Sequence, residues 1–263
     1  MGALLDLPKE TLRHALYEHC VTDPPRLCRF IDAVHARSPR VLREDFCGSG
    51  ALARFWAARS PAHRAVAVDR DRRVLRFVAD APRVTPRALD VRRARDRADV
   101  VAAVNFPIGY FHRRPDLLDY LRRVRASLRA GGIFLCDTYG GPDAFRTLRL
   151  AAHLRGPSGE RIEHVWEQRA ADPLTARVID VLHFCVRVPG RRPIMLRDAF
   201  VYDWRLWSIP EVRDALADAG FRRSEVHARL GHALDHRGRL RVRPVRDGSE
   251  LDENHVVYIV ARR

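Results

Sequence analysis

Apolar positions follow a helical rhythm over the first forty residues and a different one afterwards. Leu12, Ala15, Leu16 and Cys20 share one face at helical spacing, Pro24-Pro25 interrupts it, and Phe30, Ile31 and Val34 begin a second helix. From residue 40, short apolar strands alternate with amphipathic helices. Val41-Leu42 runs into Gly48-Ser49-Gly50, and Leu52, Phe55 and Trp56 follow at helical spacing. Ala65-Val66-Ala67-Val68 is an unbroken apolar run closed by Asp69, the pattern of a strand covered on both faces. Val74, Leu75 and Val78 predict a helix, a short strand ends at Asp90, and Asp99 to Val104 forms another buried strand. Leu117, Leu118, Leu121, Val124 and Leu128 make a helical stripe, which Gly131-Gly132 is expected to end. Ile133 to Cys136 is the next strand, closed by Asp137. Such alternation predicts a doubly wound α/β architecture with right-handed crossovers.

Residues 160–205 break the rhythm. Ile162–Gln168, Arg177–Val188 and Ile194–Asp203 read as successive strands separated by Asp172-Pro173 and Pro189-Gly190, hence an antiparallel insertion. Ser208-x-x-Glu211 is a capping box opening a helix with Val212, Ala215 and Leu216 inward and Gly220 at its end. Arg223–Arg229 and Val256–Val260 supply the last strands, with the polar stretch 230–253 between them able to cover a site. The expected organisation is an N-terminal helical lid over 1–39 and a core over 40–263 that carries the insertion.

Composition narrows the class. The 263 residues carry 48 Lys or Arg against 33 Asp or Glu, a formal net charge of +15. Lys9 is the only lysine, and the arginines are scattered through every segment, which favours a solvated basic surface over a nucleic-acid footprint. With 46% hydrophobic and 31% charged residues the chain falls outside the disordered and membrane classes. Its longest apolar runs, such as Val100 to Val104, fall far short of the roughly 20 residues that span a bilayer. Asp6 stands where a signal peptide would be apolar, and the five cysteines include no C-x-x-C pair. A cytoplasmic location, with neither a disulfide framework nor a metal site, is the expectation.

The candidate chemistry lies at strand ends. In Glu44-Asp45-Phe46-Cys47-Gly48-Ser49-Gly50 a strand ends in carboxylates and the chain reverses through glycines, which let backbone N–H groups approach a ligand. Acids beside the turn disfavour a dinucleotide pyrophosphate and suit a cationic ligand. Asp69 is placed either to accept ribose hydroxyls or to cap the next helix, and Asp90 either to meet an adenine amine or to make a surface turn. Asn105-Phe106-Pro107 closes the following strand. Together these ends point to the crevice where open α/β sheets bind ligands.

The run from Leu42 to Gly50 resembles the class I S-adenosylmethionine-dependent methyltransferases, and within them a subgroup carrying E-D-F-C-G-[ST]-[GA]. Tyr17-Glu18-x-x-Val21, Val68-Asp69, Asn105-Phe106, Gly131-Gly132-Ile133-Phe134, Asp137-x-Tyr139-Gly140-Gly141 and Tyr202-Asp203-Trp204-Arg205-Leu206-Trp207 extend the likeness over roughly residues 15–221. The resemblance implies a Rossmann-like, mostly parallel seven-stranded sheet and S-adenosylmethionine as cofactor. It implies that Glu44, Gly48 and Gly50 hold the cofactor's amino-acid end, with Asp45, Phe46 and Cys47 in the same segment. Asp69 with Arg70 would hold the ribose, Asp90 with Val91 the adenine, and Asn105 with Phe106 would lie near the reacting methyl. Phe46 departs from the wider acid-x-Gly-x-Gly-x-Gly pattern, leaving open whether Asp45 joins Glu44. Asn105-Phe-Pro-Ile is not the Asn-Pro-Pro-aromatic of methyltransferases acting on nucleic-acid bases or protein glutamine.

The implied activity is methyl transfer to N or O of a small molecule, with an RNA acceptor or a non-catalytic cofactor-fold binding protein as alternatives. A base is optional when the donor is a sulfonium, and His112, Asp137 and Tyr139 are the catalytic candidates. Tyr17, Tyr110, Tyr139, Trp166, Tyr202, Trp204 and Trp207 are expected to wall the acceptor pocket, the tryptophans having core packing as their alternative. Arg205 is placed either to pair with an acceptor carboxylate or to pair internally with an acid such as Asp203.

Overall fold

The strands of the central sheet follow from unbroken apolar runs whose alternate residues are buried on opposite faces. In the computed structural model, residues 4–35, 37–228, 230, 231, 233, 234, 236 and 239–263 are described. They form α1 (Lys9–Val21), α2 (Pro24–His35), β1 (Val41–Asp45), α3 (Ala51–Ala58), β2 (Arg64–Asp69), β3 (Val84–Ala88), β4 (Ala98–Ala103), α4 (Arg114–Ser127), β5 (Leu128–Gly140) and β6 (Leu148–Arg155). There follow β7 (Arg161–Asp172), β8 (Arg177–Arg187), β9 (Ile194–Arg205), α5 (Ile209–Asp218), β10 (Arg223–His227), β11 (Ala233–Leu234), β12 (Leu240–Arg241) and β13 (His255–Arg262). Arg229, the expected last residue of β10, lies outside the described residues.

The chain divides into two compact units, residues 24–144 with 206–263, and residues 1–23 with 145–205. The first unit holds a seven-stranded sheet in the order β10-β13-β5-β4-β1-β2-β3. Pairing is parallel from β5 across to β3, and β13 runs antiparallel to both of its neighbours. This is the expected mostly parallel, doubly wound α/β sheet. Alternation decides which core each residue enters. Val100 and Ala102 pack with Leu42, Ala65, Ala67 and the apolar faces of α2 and α3. Val101 and Ala103 pack on the other face with Leu117, Leu121 and Val124 of α4 and Val212, Ala215 and Leu216 of α5. Ser208 caps α5 through the expected reciprocal box with Glu211.

Several boundaries differ from the sequence pattern. The two compact units part at 23/24, and Leu27, Phe30, Ile31 and Val34 of α2 share a core with Leu42 and Trp56. The α4 stripe stops at Ser127, and β5 begins at Leu128 and runs through Gly131-Gly132. The pairing of β5 with β4 shifts register there, and a β-carbon at Gly132 would sit 2.9 Å from the Asp99 carbonyl. The glycine pair therefore serves an irregular strand start, not a helix end. Val74–Phe77 is a short 3-10 turn instead of a helix.

The second unit contains a four-stranded antiparallel sheet ordered β6-β7-β8-β9. Leu12 and Leu16 of α1 pack with Ile162, Leu182, Phe184 and Val186 of that sheet. β6 precedes the expected start of the insertion and is mostly exposed, although Leu148, Leu150, Ala152 and Leu154 alternate along it.

Candidate functional site

β1 and β4 are neighbours at the point where strand order reverses, so their carboxyl ends open the crevice in which such sheets take ligands. Glu44 and Asp45 end β1 on opposite faces. One oxygen of Glu44 accepts the Ala53 N–H at 2.8 Å, in the first turn of α3, where backbone donors have no partner within the helix. Asp45 is turned into the interior. Arg43 Nη2 donates to it at 3.0 Å, Arg43 Nε lies 2.9 Å away, and the Tyr120 hydroxyl donates at 3.0 Å. Burial pushes the Asp45 carboxyl upward against the opposing pull of Arg43 and Tyr120. These contacts hold Asp45 in a buried pair with Arg43.

Phe46 follows with φ of 57°, a left-handed conformation that a β-carbon disfavours. Its ring is held by Tyr110, stacked at 5.9 Å, and by the edges of Phe111 and Tyr120 at 5.8 and 5.9 Å. Gly48 and Gly50 are also left-handed, at 52° and 69°. A β-carbon at Gly50 would overlap Val78, whereas one at Gly48 would meet nothing within 4 Å. Gly50 is thus fixed by packing, and Gly48 faces open space.

Strand β2 delivers its acid to this turn. Asp69 accepts the Gly48 N–H at 2.9 Å through one oxygen and the Asp71 N–H at 2.9 Å through the other. It does not cap the Val74–Phe77 turn, whose cap position is Arg73. Burial raises the Cys47 thiol well above its ordinary range, and Glu44, Asp69 and Asp45 push it further, so three carboxylates lie within electrostatic reach of one sulfur. After β3, Asp90 accepts the Arg92 N–H at 2.8 Å and pairs with the Arg92 guanidinium, whose hydrogen bond holds the carboxyl below its usual range. Arg70, exposed beside Asp69, lowers it further, and Val91 is buried in the core.

Asn105 and Phe106 follow β4 with φ of 69° and 65°. Their N–H groups each donate to a separate oxygen of Asp137 at 2.7 Å. Asp137 is buried, and desolvation raises its carboxyl to about 7 in spite of those donors. Each Asp137 oxygen thus accepts one backbone N–H. Tyr139, half-buried, meets the Phe106 ring edge-on at 5.1 Å, and Tyr110 is exposed. His112 is half-buried, next to Phe111. Trp207 is core, its indole donating to the Phe111 carbonyl at 3.1 Å and its own carbonyl accepting from Thr138.

Tyr17, Trp166, Tyr202, Trp204 and Arg205 belong to the second unit. There Tyr202 stacks on Trp204 at 4.3 Å and Tyr17 meets Phe200 at 5.0 Å. Asp203, the expected internal partner of Arg205, pairs with Arg177. Arg43 is the residue sequence reasoning missed, since a buried arginine inside an apolar strand has no pattern to announce it. Among the described residues no group of three or more His, Cys, Asp or Glu is arranged to hold a metal ion.

Solved structures, S-adenosylmethionine-dependent methyltransferases among them, share this fold over nearly the whole chain. DesVI of Streptomyces venezuelae superposes with a TM-score of 0.72 at 17% identity, covering 97% of this chain and 98% of its own. A S-adenosylmethionine-dependent methyltransferase from Clostridium acetobutylicum gives 0.67 at 14% identity, covering 96% and 97%. CalS10, a SAM-bound amino pentose methyltransferase of Micromonospora echinaspora involved in calicheamicin biosynthesis, gives 0.65 at 16%, covering 95% and 96%. No family profile matches the chain, and no curated protein matches its sequence.

Proposed function

We propose that the protein is an S-adenosylmethionine-dependent methyltransferase acting on N or O of a small molecule. The observation that carries this reading is the Asp69 carboxylate seated on the Gly48 N–H, with Glu44 and Asp69 both within reach of Cys47 at the carboxyl ends of β1 and β2. The residues suit the cofactor. A carboxylate oxygen has two lone pairs, so Asp69 can accept ribose hydroxyls while keeping its backbone contacts. Glu44 supplies negative charge for the ammonium of the amino-acid end, Gly48 leaves room for it, and Asp90 with Val91 offers an acceptor beside an apolar surface for the adenine. When bound, the cofactor supplies a methyl group on a positively charged sulfur.

The protein's own task is alignment. The acceptor's lone pair forms a bond to the methyl carbon as the carbon–sulfur bond breaks, its electrons returning to sulfur, so the crevice must hold the acceptor in line and exclude water. Asn105 and Phe106 border the reacting end in this reading, and His112 and Tyr139 are the candidates to take the acceptor's proton. Tyr17, Tyr110, Trp166, Tyr202, Trp204 and Arg205 are retained as proposed acceptor contacts. The amino pentose acceptor named for CalS10 supports an amine on a small, polar molecule. The net charge of +15 favours RNA as the second reading. Incubation with methyl-labelled S-adenosylmethionine and a host metabolite extract, with and without RNase, separates them. Label in the small-molecule fraction regardless of RNase is expected; RNase-sensitive label would replace this reading with the second, and no label in either would contradict both.

A further inference from the structure

Outside the groups assigned so far, the feature with the most physical content is the junction of β4 and β5. Two consecutive residues bearing β-carbons, Asn105 and Phe106, both occupy the left-handed region. Asparagine tolerates it moderately and phenylalanine poorly. Backbone of this kind persists only where its surroundings over-determine it, and it clusters at functional sites. The determinant is Asp137. Its Oδ2 accepts the Asn105 N–H and its Oδ1 the Phe106 N–H, both at 2.7 Å, and the side chain is only 3% exposed. Strand β5 is itself bonded to β4 on one side and to β13 on the other, so the carboxylate sits on a rigid support. A single buried acid therefore clamps both strained peptides, and the ring of Phe106 is met edge-on by Tyr139, two residues along the same strand.

We propose that Asp137 is a positioning residue for methyl transfer, holding the Asn105-Phe106 turn in its left-handed form so that the reacting end of the crevice is aligned. The proposal rests on the methyltransferase reading. Its action is indirect: it touches neither cofactor nor acceptor, and works through the backbone it binds. Without the clamp the turn relaxes toward negative φ, and both residues change direction at the strand end. Alignment governs the rate of an in-line displacement far more than it governs cofactor binding, and a misplacement of about 1 Å can cost on the order of a hundredfold. Glu44 and Asp69 lie on β1 and β2 and Asp90 follows β3, so their contacts are made away from this turn.

Three proteins and one labelled substrate test this. Wild type, Asp137→Asn and Asp137→Ala are compared for S-adenosylmethionine affinity by calorimetry and for the initial rate of label transfer from saturating S-adenosylmethionine into a metabolite extract. An asparagine offers one oxygen where two N–H groups need acceptors, so a partial loss is expected, roughly tenfold in rate, with a change in affinity below about threefold. Alanine loses more rate and still binds. The same Asp137→Asn change is repeated in a Phe106→Gly background, where left-handed backbone carries little penalty. There the rate loss shrinks, an outcome that general destabilisation does not produce. Should the variants fail to fold, amide exchange in wild type decides: the Asn105 and Phe106 N–H groups must be protected, and exchange as fast as in an exposed loop overturns the proposal. Equal rates in wild type and Asp137→Asn, or affinity falling in step with rate, also overturn it. A wild type that transfers no label contradicts the methyltransferase reading instead, and the positioning role falls with it.

Discussion

Arg43, Asp45 and Tyr120 show what a single residue's environment settles. Arg43 and Asp45 are both fully buried side chains of the same strand face, and the tyrosine hydroxyl completes the carboxylate's shell. A buried ion pair adds little against an apolar alternative, but removing one member leaves an uncompensated charge in the interior. Asp45→Asn is expected to destabilise the fold by about 3–5 kcal/mol. Tyr120→Phe, which removes one donor to the same charge, should cost about 1.5–3 kcal/mol. Urea denaturation of the two variants checks the order, and an Asp45→Asn protein as stable as wild type would refute the pairing. At this scale the sequence was legible in part. Acids at successive strand ends could be read from the apolar runs they close, and Asp69 sits where that pattern put it. Which of Glu44 and Asp45 enters a buried ion pair could not be read, because alternation says only that they face opposite ways. The answer depends on Arg43, whose burial follows from Tyr120 and Asp45 being in place.

Elements place those residues, and their turns carry the strain. The β1–α3 turn needs left-handed backbone at Gly50, against the buried Val78 side chain. Gly50→Ala is expected to cost about 1–3 kcal/mol, from overpacking together with the unfavourable φ. A thermal melt unchanged from wild type would show that the turn can move away from Val78. The β4–β5 junction gives a pH dependence. Asp137 has a folded-state value of about 7, above its ordinary value of 3.8, so the folded protein binds the extra proton between those limits. Stability contributed by that group is present below pH 3.8, declines as pH rises toward 7, and is then lost. In Asp137→Asn this decline should disappear, so plots of unfolding free energy against pH for the two proteins differ in slope between about pH 3.8 and 7 and run parallel on either side. Parallel plots across it would contradict the assignment. Buried parallel strands were the elements best announced by sequence, since each is an unbroken apolar run. β6 and the first residues of β5 were not. β6 is exposed at most positions, so its alternate apolar residues Leu148, Leu150, Ala152 and Leu154 are largely uncovered, and Gly131-Gly132 imitates a helix stop while relieving a strand irregularity.

For the whole molecule, the alternation of strands and helices fixed the sheet, and the strand order fixed where a ligand would sit. Solved structures at 14–17% identity share this fold with TM-scores of 0.65 to 0.72, so the architecture tolerates almost complete replacement of its side chains. In this chain the switch point lies between β1 and β4, with strand ends around it. The positive charge is spread in the same way as in the sequence. Arg59 with Asp32, Arg87 with Asp96, Arg92 with Asp90 and Arg187 with Glu163 are local pairs distributed over separate elements. Exposed pairs of this kind stabilise little, about 0–1 kcal/mol each. Among the described residues no helix is long and apolar enough to cross a membrane. The account stands on the cofactor site, and calorimetric titration of S-adenosylmethionine into wild type and Asp69→Ala, each checked for folding by its thermal melt, tests it most directly. One molecule should bind per wild-type chain, and the variant should bind more weakly by about 1–3 kcal/mol, the cost of unpaired hydroxyls. A folded wild type that takes up no cofactor, or a folded variant that binds it as tightly, would contradict the account.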